Sequence, residues 1–241
     1  MKLQSVVHEG NLQLYHGPPC LKGACGDEGF CYARLNEHSC RCPEGVSGSR
    51  CERRVDMSEF TEGAWFDGQT EYSYLNRASF AVKGQHLSNY SFWIRTNASE
   101  GLIWWENKGA TLKYDFMAIF LVRSRISFAV SLGNDATLKT ITVNNTAPVN
   151  DNRWHHIIFI REKRNSEMTV DGETVSHLTS PGSTELNTDG VVWIGGRKLL
   201  PREFPYRSPF VGCIRDVRIA NVRIRLRDDV ISAASPPRCY R

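Results

Sequence analysis

Eight cysteines, seven histidines and an uneven distribution of arginines are the features of this 241-residue sequence that could carry chemistry. Six cysteines lie between Cys20 and Cys51, and the other two are Cys213 and Cys239. Clustered thiols serve either metal sites or disulfides, and a zinc site would be built on Cys-x-x-Cys pairs, which are absent. An even count without such pairs predicts a disulfide framework made in an oxidising, extracellular compartment. Three Asn-x-Ser/Thr sequons, at Asn89, Asn97 and Asn144, agree with a secretory route. His155 and His156 are the only adjacent histidines, and neighbours on a strand point to opposite faces, so they cannot converge on one metal ion or one proton. One of them is expected to be buried and hydrogen-bonded and the other exposed. The sequence also lacks a Gly-x-Ser-x-Gly elbow, a His-Glu-x-x-His pair and a phosphate-binding loop. The chain is therefore expected not to be an enzyme.

Charge is placed unevenly too. Between Arg197 and Arg241 eleven Lys and Arg stand against four acids, in a chain whose total is +4. Arg223, Arg225 and Arg227 alternate with Ile224 and Leu226, so on a strand they would share one face as a cationic ridge. With Arg218 that ridge is a candidate heparin-binding site. A solvated outer face of an ordinary sheet explains the same pattern equally well. Nucleic acid is not an expected partner, because no recognition motif accompanies the charge. Asp115 opens an otherwise apolar run, which places its carboxylate on a sheet rim beside a loop.

The elements that must position these groups are strands. With 41% hydrophobic and 23% charged residues the composition is that of a folded chain, and without an 18-residue apolar run no membrane insertion is expected. Residues 90–95, 101–105, 116–122, 126–132 and 154–161 are strand-length and rich in β-branched or aromatic residues. In residues 126–132 large apolar side chains alternate with small ones, as on a strand with one face in a core. Residues 116–122 are nearly continuously apolar, as on a strand covered on both sides. Two antiparallel sheets packed face to face follow, an all-β sandwich with little room for helices. Met1 to Pro19 has no apolar stretch suited to a signal-peptide core, so the chain is expected to start at an added Met or to be part of a longer one.

The first six cysteines are separated by four, five, eight, one and eight residues, and Cys40-Arg-Cys42 is followed by Pro43, Gly45, Gly48 and Cys51-Glu52. Residues 20–52 thus resemble an EGF-like domain, between linkers at 1–19 and 53–61. That resemblance implies the pairings Cys20–Cys31, Cys25–Cys40 and Cys42–Cys51. Gly17-Pro-Pro19 replaces the acidic residues of the calcium-binding members, so no metal is expected there.

Further on, Phe66-Asp-Gly68, Gly101-Leu-Ile103, Asp115-Phe116, Asn152-Arg-Trp-His155, Val170-Asp-Gly172, Leu186-Asn-Thr-Asp-Gly190, Trp193-Ile-Gly-Gly196 and Phe210-Val-Gly-Cys-Ile-Arg-Asp216 run in a characteristic order. Residues 62–241 resemble a laminin-G-like domain, of the kind that ends matrix heparan sulfate proteoglycans of the agrin type, with the perlecan type second. The resemblance implies a jelly-roll sandwich and a Cys213–Cys239 bridge. It also implies a calcium site made of Asp115, the carbonyls of Leu132 and Glu185, and the side-chain oxygen of Asn187. Calcium takes six to eight oxygens, so coordination sites remain for water or an acidic ligand. The partners implied are an acidic glycan or a cell-surface receptor: dystroglycan-type glycan, heparan sulfate, or a low-density-lipoprotein-receptor-related protein. Lys113 and Arg197 are candidate cations for further carboxylates. In the agrin type the stretch matching Asn76 to His86 can receive an insert carrying Asn-Glu-Ile, which is missing here, so synapse-organising activity is not expected. A structural spacer that binds heparin and has no functional calcium site is the alternative reading.

Overall fold

In the computed structural model the described residues are 20, 23–26, 29–33, 38–41, 46–47, 49–54, 63–76, 84–133, 138–144, 147–232 and 234–239. The chain divides into two units, Met1–Glu59 and Phe60–Arg241. In the first, β1 (Phe30–Ala33) and β2 (His38–Arg41) form an antiparallel ladder with Cys31 opposite Cys40, and β3 (Val46–Ser47) pairs with β4 (Arg53–Arg54). Ladders this short bury no adequate core. Disulfides Cys20–Cys31 and Cys25–Cys40 supply the constraint instead, typically ~2–4 kcal/mol each through the unfolded chain. The Cys42–Cys51 pairing falls on Cys42, outside the described residues.

The second unit contains β5 (Ala64–Asp67), β6 (Tyr72–Leu75), β7 (Leu87–Arg95), β8 (Gly101–Asn107), β9 (Phe116–Val122), β10 (Arg125–Ser131), β11 (Ile141–Thr142), β12 (His155–Glu162), β13 (Asn165–Val170), β14 (Glu173–Leu178), β15 (Val191–Ile194), β16 (Val211–Ile219) and β17 (Val222–Arg223). They form two antiparallel sheets. One runs β11-β10-β9-β8-β15-β6; the other runs β14-β13-β12-β7-β16-β17, with β5 added along β16. No helix occurs among the described residues. Two-residue connections at Arg123-Ser124 and Ala220-Asn221, all four at positive φ, make the hairpin turns whose backbone matches strand twist.

Between the sheets, Tyr90, Phe92 and Ile94 of β7 and Ile157 and Phe159 of β12 meet Trp104, Met117, Ile119, Phe128 and Val130. The β7 and β12 patterns alternate between buried and more open positions, so this sheet has one covered face. The other sheet is covered on both. Leu102, Trp105, Phe116, Ala118, Phe120 and Ala129 point away from the main core and pack under Leu200 and Phe204, with Phe204 edge-on to Trp105 at 4.8 Å. The chain between β15 and β16 is the lid of this second core, and Tyr206 stacks on Phe120 at 4.1 Å. This corrects the expectation for residues 126–132: Ser127, Ala129 and Ser131 are buried as well as Ile126, Phe128 and Val130. The small residues on that face make room for a covering loop, and alternation of size did not mean solvent.

Candidate functional site

Asp115 stands one residue before β9, where its carbonyl accepts the Lys108 N–H at 2.9 Å and closes the end of the β8–β9 ladder. The segment carrying Asn187 is strung across the same rim by backbone bonds. Leu186 exchanges hydrogen bonds with Gln85 at 2.9 and 3.0 Å, and the Asp189 N–H donates to the Asn107 carbonyl at 3.1 Å. Asp115 and Asn187 are thereby brought together: Oδ2 of Asp115 accepts the backbone N–H of Asn187 at 2.7 Å and its Nδ2 at 3.2 Å. The turn after Leu132 lies against the other oxygen. Gly133 has φ +78°, and a Cβ there would sit 2.9 Å from Asp115 Oδ1. Glu185 precedes Asn187 by two residues, and its carbonyl accepts Ser183 Oγ at 3.3 Å.

Two buried charged residues, which the sequence reading overlooked, brace this end of the sandwich. Arg161 is fully buried and donates to the carbonyls of Lys163 at 2.7 Å, Thr184 at 3.3 Å and Gln85, and to Ser88 Oγ at 3.2 Å. It therefore clamps the two segments that lead to Gln85 and Glu185. Its position was visible: on β12 it follows Ile157 and Phe159 at the spacing of the inward face. Glu106, equally buried, accepts Trp104 Nε1 at 2.9 Å and Asn76 Nδ2 at 2.7 Å. Burial raises its carboxyl above the ordinary range despite these donors.

The donor set consists of hard oxygens, which suits calcium in type. Among the described residues no group of three or more His, Cys, Asp or Glu is arranged to hold a metal ion, so a cation here would have one carboxylate supplemented by carbonyl and amide oxygens. Asn187 offers Asp115 its amide nitrogen, so metal binding requires that amide to turn its oxygen inward. Arg197 reaches the rim's flank: its Nη1 donates to Asn107 Oδ1, and its guanidinium lies 5.1 Å from the Trp193 ring centre. Lys113 is exposed two residues before Asp115.

The cationic ridge expected at Arg223, Arg225 and Arg227 is not formed. β17 ends at Arg223, and the chain turns where Asp228 and Asp229 donate their N–H groups to the Arg225 carbonyl. Arg223 bonds Asp216 at 2.5 Å, Arg225 bonds Asp229 at 2.8 Å, and Arg227 Nε donates to the Pro236 carbonyl at 3.1 Å. Asp229, which also accepts the Arg225 backbone N–H at 2.9 Å, caps a turn where alternation suggested a strand. Arg218 lies on β16 opposite Ser91.

His155 is buried between two carboxylates, Asp171 at 2.6 Å and Asp151 at 2.9 Å. His156 is half-buried, stacked on Trp93 with ring centres 4.5 Å apart. Of the sequons, Asn97 and Asn144 are exposed, and Asn89 is half-buried on β7 between β12 and β16. Most of the 76–86 stretch, residues 77–83, lies outside the described residues.

A disulfide-tied sandwich of two antiparallel sheets, with loops gathered at a rim, defines a class of β-sandwich modules. The family model "Laminin G domain" matches residues 94–222, and the chain belongs to that family. Pikachurin from Bos taurus is 27% identical over 226 residues, covering 92% of this chain and 22% of pikachurin. The basement membrane-specific heparan sulfate proteoglycan core protein of Mus musculus, perlecan, is 28% identical over 239 residues, 90% of this chain and 6% of its own length. The chain thus spans about a fifth or less of these relatives. Domains LG4-5 of the mouse laminin alpha1 chain share the fold, with TM-score 0.59 and 23% identity over 74% of this chain and 47% of that one.

Proposed function

We propose that this chain is a non-enzymatic, extracellular recognition module that binds calcium at the rim and, through it, an acidic glycan or a cell-surface receptor. Its disulfides and its likeness to a basement-membrane proteoglycan core protein support the extracellular location. The proposal includes an EGF-like domain at 20–52, a laminin-G-like domain at 62–241, and membership of an agrin-like proteoglycan. The observation that carries it is the meeting of Asp115 with Asn187 beside the Leu132–Gly133 turn. Asp115, the carbonyls of Leu132 and Glu185, and the Asn187 side-chain oxygen would hold the ion. A bound ion supplies a localised positive charge with sites left for a ligand's carboxylate. The matrix polysaccharide on dystroglycan, heparan sulfate and low-density-lipoprotein-receptor-related proteins are the candidate partners, and Arg197 is placed to flank such an anion.

One observation favours a second reading. Asn187 already satisfies Asp115 with two N–H groups, which is how a rim without metal would look in a structural spacer. Calcium calorimetry on the wild type, Asp115→Ala and Asn187→Asp separates the two. Affinity is expected on the order of 10⁻⁴–10⁻³ M, lost in Asp115→Ala and tightened in Asn187→Asp by the second anionic ligand. Three identical titrations would leave the spacer standing.

A further inference from the structure

The outer face of the β12-β7-β16 region has two unlike halves. Toward the end of β7 the face is filled by its own side chains. His156, Trp93 and Arg215 are cross-strand neighbours on β12, β7 and β16, and the His156 ring lies on Trp93 with planes 12° apart. The Arg215 guanidinium carbon is 5.5 Å from the Trp93 ring centre and 4.2 Å from that of Trp154. A bulge between Arg215 and Arg218, with Asp216 at φ +51°, reverses strand parity and leaves both arginines on this face. Toward the start of β7 the face is open. Leu87 is 60% and Ile160 40% exposed, with half-buried Ile158 beside them. Asn89 stands in their midst: Ile160 is its direct partner on β12, Leu87 lies two positions back on β7, and Ile158 is diagonal to it, opposite Ser91. Directly opposite side chains are about 5 Å apart at Cβ and diagonal ones about 7–8 Å. Single exposed apolar side chains are ordinary, but a contiguous patch on an open sheet calls for a cover.

We infer that an N-linked oligosaccharide on Asn89 is that cover. In the sequon Asn89-Tyr90-Ser91 the Tyr90 ring points into the core, so Asn89 and Ser91 both face outward. The backbone of Asn89 is fixed, with its carbonyl accepting the Ala220 N–H at 2.8 Å, while its side-chain amide makes no hydrogen bond among the described residues. A sugar on that nitrogen therefore displaces no contact of the fold. Attachment joins Nδ2 to C1 of the first N-acetylglucosamine of a lipid-diphosphate-linked oligosaccharide, the donor of the secretory route. The C1–O bond to the diphosphate breaks, the lipid diphosphate leaves and the amide gives up one proton. A pyranose ring has a face of C–H groups. Laid over Ile160 and Ile158, it takes their methyl groups out of water and turns hydroxyls to the solvent. Asn97 and Asn144 stand in exposed connections, where an oligosaccharide has no comparable strand face beside it. The inference rests on the extracellular reading and is independent of the calcium rim.

The test is made on the whole chain, secreted from eukaryotic cells behind a cleavable leader, with occupancy of each sequon read by peptide mass spectrometry. Asn89 is expected to be occupied, and nuclear Overhauser contacts are expected between its first sugar and the methyl groups of Ile160 and Ile158. Ser91→Ala, which removes the sequon and keeps Asn89, is expected to raise the emission of an apolar dye severalfold, and Asn97→Gln to leave it unchanged. Adding Ile160→Thr to Ser91→Ala should bring the emission back toward the wild-type level. Trimming the folded wild type to its first sugar with an endoglycosidase should keep the dye signal low, a measurement that needs no variant to fold. Asn89 bare beside an occupied Asn97 overturns the inference and spares the extracellular reading, whereas three bare sequons remove both. A first sugar without contact to Ile160, or a dye signal in Ser91→Ala no larger than in Asn97→Gln, overturns the inference as well.

Discussion

The two sheets of this sandwich bury their strands differently. β8 and β9 are buried on both faces, under the main core on one side and the Leu200–Phe204 lid on the other, and their outward side chains are apolar except for Asn107 at the end of β8. β7 and β12 are buried on one face only, and their outward positions hold Trp93, Arg95, His156 and Ile158. A sheet buried twice is committed to packing. A sheet buried once can carry polar and ring groups whose identity matters little to stability, and that is where an extended surface can acquire binding chemistry.

Truncation breaks or sharpens this contrast most directly. Phe204→Ala empties the second core and is expected to cost about 3–5 kcal/mol in urea unfolding. Removing the Cys213–Cys239 bridge by double Ala substitution, on the open sheet, should cost about 3.5 kcal/mol for its 26-residue separation, in the lower part of that range. Trp93→Ala removes stacking from the open face and should cost about 1 kcal/mol, within the range of single ring–cation contacts. If Trp93→Ala proves as costly as Phe204→Ala, the distinction between the sheets fails.

The smallest effect is a pH dependence at the start of β12. Burial pulls the His155 pKa down, but the hydrogen bonds that its ring donates to Asp171 and Asp151 more than offset this and leave the pKa above the ordinary value. A raised folded value means the stabilisation is complete below the unfolded histidine range, about 6.5, and is lost as pH rises through the folded value. Unfolding midpoints at about pH 6 and about pH 9 should therefore differ more in the wild type than in His155→Phe.

Much of this was legible in the residues. The Phe116–Val122 strand has the bounds its apolar run suggested, because nothing in the run offers a turn. Asp115 and Asn187 were paired through a family likeness, and the structure brings them within hydrogen-bonding distance. What escaped depended on long-range geometry. Leu200 and Phe204 sit in an aperiodic loop among Pro201 and Pro205, where no pattern marks a core residue. The Arg223–Arg227 alternation looked like a strand until Asp229 capped a turn inside it. Arg215 and Arg218, three apart, should have pointed opposite ways, and only the bulge at Asp216 places them together.

The register of β16 also bears on the order in which the molecule assembles. The β12-β13-β14 meander closes through short connections and pairs early in a chain governed by loop entropy. β16 must find β7 across a separation of 118 residues between Arg95 and Cys213. Arg215 can settle between Trp93 and Trp154 only when that search ends. Indole emission from this stack is therefore expected to be a clock for one of the long-range docking events, changing in the slow refolding phase, after the backbone signal of the meander has appeared.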